Sequence, residues 1–170
     1  MRFGKFLIAA LAAATAVPAG AQAVPPDRDA NGKALILVPL TLTKVDDLDF
    51  GTLVPSSISG IVAIDAASGN RTVAGGVTGV PSDLGHRARF AGAGTPSQQV
   101  VVVINPPTQL TSVAADNIQV LALTLEGSPF KTIDPTTRTF AFGVGGILLI
   151  AADQPEGVYQ ATFNVTANYQ

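Results

Sequence analysis

Apolar and polar residues alternate at period two along most of this chain. The longest run without an error is residues 157–170, GVYQATFNVTANYQ, where Tyr159, Ala161, Phe163, Val165, Ala167 and Tyr169 are apolar and every even position from 160 on is polar. Successive side chains of a strand point to opposite faces, so this run predicts a strand with one buried face. Stretches with the same alternation, or with β-branched runs, recur at residues 34–44, 48–54, 60–65, 71–75, 86–92, 99–105, 117–127 and 138–151. Turn-forming clusters such as PSSISG, AASGN, NPPTQ and ADQPEG bound them. Beyond the first two dozen residues no useful stretch carries a helical period. About nine short strands separated by turns predict an all-β sandwich or barrel.

The alternation also names the core. Phe140, Phe142 and Val144 share one face of the strand at 138–151, and the Gly145, Gly146 pair behind them predicts a bulge. Leu48 and Phe50 fall on one face of LDFG, with Asp47 and Asp49 on the other. In HRARF, Ala88 and Phe90 oppose Arg87 and Arg89. The ten aromatics, all Phe or Tyr, are spread over many strands, a distribution that suits core packing better than a ligand platform.

The N-terminus has a different pattern. Arg2 and Lys5 precede an apolar run from Phe6 to Val17, and Ala21, Gln22, Ala23 close it with a small-x-small motif. This predicts a secretory signal peptide over residues 1–23, cleaved on export through the inner membrane. The run is too short to span a bilayer, and nothing downstream is long and apolar enough to do so. Residues 24–33 are polar and proline-led and read as a flexible leader. Residues 34–170 are then one β-sandwich domain, a length that supports a core of its own. The expected location is the periplasm, the cell surface or a fimbrium. Without Arg2 and Lys5 the chain keeps 12 acidic against 8 basic side chains, and no basic cluster marks a nucleic-acid partner. There is no cysteine, so the core has no disulfide to support it.

Each candidate for chemistry lacks a partner. His86 is the only histidine, and with no cysteine the usual zinc, copper and haem ligand sets cannot be assembled. Asp46, Asp47 and Asp49 lack the spacing of a calcium loop. Asp153 and Glu156 sit in a turn composition with no adjacent nucleophile. No G-x-S-x-G elbow occurs, and the glycine-rich stretches do not open helices, which argues against a phosphate cradle. The sequence therefore predicts a non-enzymatic protein with no cofactor and no metal.

The closing segment resembles the C-terminal motif of chaperone-usher pilins. Gly157 opens the last fourteen residues, the apolar positions alternate, and Tyr169 is penultimate. Over nearly the whole chain after residue 23 the sequence is similar to the DUF4402 domain family, short secreted bacterial proteins of unassigned function. LTLTKVDDLDFGTLVP near the start and GVYQATFNVTANY at the end carry that likeness. The pilin resemblance implies an immunoglobulin-like, pilin-like sandwich lacking one strand, completed first by a periplasmic chaperone and then by a neighbouring subunit. The partners it implies are that chaperone and further subunits, in a homopolymer assembled by donor-strand complementation. Gly157, Tyr159, Ala161, Phe163, Val165, Ala167 and Tyr169 form the strand offered to partners. Ala34, Ile36 and Val38 form a candidate donor segment within residues 30–38, which Pro39 separates from the body. The same stretch also suits the first strand of a self-contained secreted sandwich that binds carbohydrate or protein at the cell surface. The expected function is a fimbrial or pilin-like structural subunit, with that binding module as the alternative.

Overall fold

The computed structural model describes residues 29–170, which form ten strands and no helix. The signal peptide expected at 1–23 and the first half of the leader lie outside the described residues. The chain divides into two units, Met1–Leu35 and Ile36–Gln170. Within the first, residues 29–35 carry neither strand nor helix. The second holds every strand: β1 (Thr41–Asp46), β2 (Leu53–Ile64), β3 (Arg71–Gly79), β4 (Ala88–Ala93), β5 (Gln99–Asn105), β6 (Gln109–Thr111), β7 (Asn117–Leu125), β8 (Phe130–Thr132), β9 (Thr139–Ile150) and β10 (Asn164–Tyr169).

Two antiparallel sheets make the sandwich. The larger has seven strands in the order β1-β4-β9-β2-β3, with β7 also paired to β9 and β6 to β7; the smaller is β10-β5-β8. Strand β9 organises the large sheet. Its first half, residues 139–144, pairs with β4, and residues 146–150 pair with β2, while β7 runs along residues 144–149.

Two apolar clusters fill the sandwich. The first joins the sheets: Ala88 and Phe90 of β4 and Phe140, Phe142 and Val144 of β9 meet Val100 and Val102 of β5 and Ile133. Phe90 stacks on Phe142 at 5.4 Å, and Phe163 meets Phe90 edge-on at 6.3 Å. The face predicted for Phe140, Phe142 and Val144 is thus the core face, and each such burial contributes roughly 1.5–3 kcal/mol. The second cluster gathers Val62, Val77, Ile118, Leu148 and Ile150, with Phe50 and Tyr159 packed against it.

Four details depart from the pattern read along the chain. The first strand starts at Thr41, not at residue 34, because residues 34–38 meet no strand to pair with. The last two residues of the stretch at 48–54 and nearly all of that at 60–65 fall in one strand, β2. Its register jumps from Pro55↔Val77 to Gly60↔Gly75, so PSSISG is a bulge and not a turn. The bulge expected at Gly145 and Gly146 falls on β7 instead, between Val120 and Ala122. Gly145 serves a close approach: a Cβ there would collide with the Ile64 carbonyl of β2. Finally, residues 157–170 are not one strand. Only β10 pairs within the small sheet, and Gln160 bridges to Thr111 of the large one.

Candidate functional site

Strand β10 is an edge of the small sheet, and its register tells which main-chain groups are open. Gln170 N–H donates to the Gln99 carbonyl at 3.1 Å, in step with the pairs Asn168↔Val101, Thr166↔Val103 and Asn164↔Asn105. Antiparallel neighbours exchange both bonds at alternate pairs. The even residues therefore bond to β5, while the N–H and C=O groups of Val165, Ala167 and Tyr169 face the other way. Among the described residues no strand lies on that side.

The side chains on this edge are also incompletely covered. Phe163, Val165, Ala167 and Tyr169 pack against the first cluster yet stay half-buried, whereas Val100 and Val102 on the adjacent β5 are 0% and 4% exposed. Leu40, just before β1, and Leu42 within it are likewise half-buried against that cluster. One end of the edge is closed by a knot of hydrogen bonds. The Tyr169 hydroxyl accepts the Thr95 N–H and donates to the Val38 carbonyl, both at 2.7 Å, while Val38 N–H donates to Thr95 Oγ1 at 2.8 Å. Gly94 makes room for this knot, since a side chain there would collide with the Tyr169 hydroxyl and crowd Ile133 and Leu40.

The residues singled out in the closing segment thus separate. Phe163, Val165, Ala167 and Tyr169 line the first cluster. Tyr159 turns to the second cluster, where its hydroxyl donates to the Pro155 carbonyl and accepts from Gln154 Nε2. Ala161 is exposed where the chain crosses between the sheets, and Gly157 lies before that crossing, facing Ser112. In the candidate donor segment Ala34, Ile36 and Val38 belong to no strand; Ile36 is 91% exposed, and Val38 is tied down by its backbone. The sequence reading missed Thr95. The GAGTP stretch reads only as a turn, and nothing in it marks the amide that meets Tyr169.

The polar candidates hold loops together. Asp49 Oδ1 accepts the Gly51 N–H at 2.7 Å and its backbone bridges His86, while Asp46 pairs with Arg89 and Asp47 with Lys44. Arg87 links Glu126 to the Ala66 and Ala67 carbonyls. Asp83 lies below the usual carboxylate range because the Thr52 hydroxyl donates to it. Amide groups have the same effect on two others, Ser68 N–H on Asp65 and Thr137 N–H on Asp134. Among the described residues no group of three or more His, Cys, Asp or Glu could hold a metal, and no helix is long and apolar enough to cross a membrane.

No curated protein and no solved structure matches this chain. A family model described as a domain of unknown function, DUF4402, matches residues 40–169, which takes in every strand of the sandwich and stops short of Ala34, Ile36 and Val38. By that match over most of its length, the chain belongs to the DUF4402 family.

Proposed function

We propose that this protein is a non-enzymatic, exported structural subunit of a surface fibre, assembled by adding a partner's strand to the open edge of β10. The observation that carries the reading is the lack of protection on that edge. Natural sheets guard their edges with charges, prolines, bulges or very short strands. Here β1 carries Lys44 and Asp46 behind Pro39, β3 has Gly75, Gly76 and Gly79 beside a bulge, and β6 and β8 are three residues each. β10, NVTANY, has none of these devices. An incoming strand would pair the open groups of Val165, Ala167 and Tyr169 and cover their half-buried side chains in one step.

The segment ALILV at residues 34–38 has the chemistry of such a strand, apolar and without a charge. It leaves the body at Val38, beside the Tyr169 end of β10. Folded back in cis it would run parallel to β10, and a segment from a neighbouring copy has no such restriction. A periplasmic chaperone occupying the same edge before assembly fits this reading.

The test is to express residues 24–170 and a version lacking residues 24–38, and to run both unheated in sodium dodecyl sulfate. The expected result is a resistant ladder from the first and a monomer from the second. A stable monomer from the first, with removal of residues 24–38 changing nothing, would rule the proposal out.

A further inference from the structure

The two ends of β9 carry surfaces of opposite kind. Twelve residues at about 3.3 Å each place these ends roughly 35 Å apart. Beyond Ile150 two loops and the bulge of β2 expose apolar side chains: Val113 is fully exposed, Val158 is 69% exposed and, on the bulge, Ile58 67%. They belong to one pole of the molecule. The Asp153 N–H donates to the Ser56 carbonyl at 2.8 Å, next to the bulge that carries Ile58. Ser112 Cβ would lie 3.5 Å from a Cβ on Gly157, and Thr111 bridges Gln160. Asp116, Asp153 and Glu156 stand on the same loops, and none of them has an ion-pair partner among the described residues.

At the other end, before Thr139, Val38, Pro39, Thr41, Ala93, Thr137 and Arg138 line a shallow, open recess of about 310 Å³. The Arg138 guanidinium has no hydrogen-bond or ion-pair partner among the described residues. The nearby Asp134 carboxylate is occupied by the N–H groups of Thr136 and Thr137, so it does not neutralise that cation by contact. An apolar recess with a free cation at one pole thus complements an apolar, acidic tip at the other. From this complementarity we infer that the acidic pole of one copy docks into the Arg138 recess of the next, with Glu156 paired to Arg138. Surfaces at opposite ends cannot satisfy each other within one closed pair, so the contact propagates head to tail into an open filament. Three such projections bury too little surface to hold a stable complex alone. The docking therefore rests on the strand-addition reading: it aligns successive copies, and the added strand locks them.

The test uses the full chain and two kinds of variant. Glu156→Arg and Arg138→Glu are each expected to slow assembly at least tenfold, and the double exchange to restore most of the rate. A double exchange no faster than the single variants would overturn the pairing. Because the chain has no cysteine, a Thr137→Cys, Glu156→Cys double variant forms only engineered disulfides. Under mild oxidation it is expected to give ladders longer than a dimer, while each single variant gives a dimer at most. Ladders from a protein whose parent does not assemble would uphold the docking and remove strand addition. Assembly of the parent without crosslinking in the variant would do the reverse, and failure of both would remove both.

Discussion

At the scale of single residues, Arg71 holds together the loops that the LDFG motif begins. Its guanidinium donates four hydrogen bonds to main-chain carbonyls: to Phe50, Thr52 and Asp83 through Nη1 and to Val80 through Nη2. Gly51, at φ +68°, is required twice over, by its left-handed backbone and by the close approach of Asp83, Gly85 and Arg71. Replacing Arg71 with methionine keeps the stem but orphans these carbonyls, two of them at part-buried bonds. The expected loss is on the order of 2–3 kcal/mol by urea unfolding. A change under half a kcal/mol would show that water replaces the guanidinium without cost. The carboxylates of Asp65, Asp83 and Asp134 supply a pH dependence of definite sign. Each is held below its ordinary value in the folded chain, so the unfolded chain binds protons more readily as the pH falls. The stabilisation is complete above the unfolded value, about pH 4, and is lost as pH falls through the lower folded values. Melting temperature should accordingly fall on acidification below about pH 4, and less steeply in Asp134→Asn, whose amide does not titrate. Equal slopes in the two proteins would separate Asp134 from the effect.

At the scale of elements, period two records that one face of a segment is apolar but not which partner covers that face. Phe140, Phe142 and Val144 could be placed from the sequence because one cluster covers all three. The closing run shows the limit. Tyr159 packs in the second cluster and Phe163 in the first, with an exposed Ala161 between them, so the unbroken alternation spans a crossing between sheets and not one strand. Residues 34–38 are apolar throughout and belong to no strand, since pairing is a property of the partner. β6 and β8 were illegible for a simpler reason: three residues are too few to display a period. What makes β10 a candidate site is likewise relational, because its openness depends on β5 lying on one side only. Proline at Ala167 tests this directly. The Ala167 N–H points away from β5, and proline is tolerated at an edge position whose N–H is unpaired. Ala167→Pro should leave the monomer folded, with circular dichroism unchanged and stability within about 1 kcal/mol of the parent. The same change removes one donor that an added strand needs, so the resistant ladder should disappear. A ladder of undiminished length would place the added strand elsewhere.

At the scale of the whole molecule, the two clusters do not make two independently folding halves, because β9 belongs to both. Phe140, Phe142 and Val144 serve the first cluster, and Leu148 and Ile150, a few residues further along the same strand, serve the second. Loss of the first cluster would release β4 from residues 139–144 and leave β9 half unpaired. Loss of the second would release β2 and much of β7. Neither half can then keep its hydrogen bonds without the other, and with no cysteine there is no crosslink to preserve one alone. The sandwich is expected to unfold in a single transition, as small single domains do. Phe142→Ala should cost about 3–5 kcal/mol and Leu148→Ala about 2–5 kcal/mol. Each should shift the whole urea curve to lower concentration with its slope preserved, as followed by both far-ultraviolet circular dichroism and tyrosine fluorescence. The two tyrosines make the comparison sensitive, because Tyr159 reports on the second cluster and Tyr169 on the first. If Leu148→Ala released Tyr159 at a lower urea concentration than Tyr169, in single-tyrosine versions of the protein, β9 would not couple the clusters. Coincident curves would mean that the body carrying the edge strand β10 holds together as one unit.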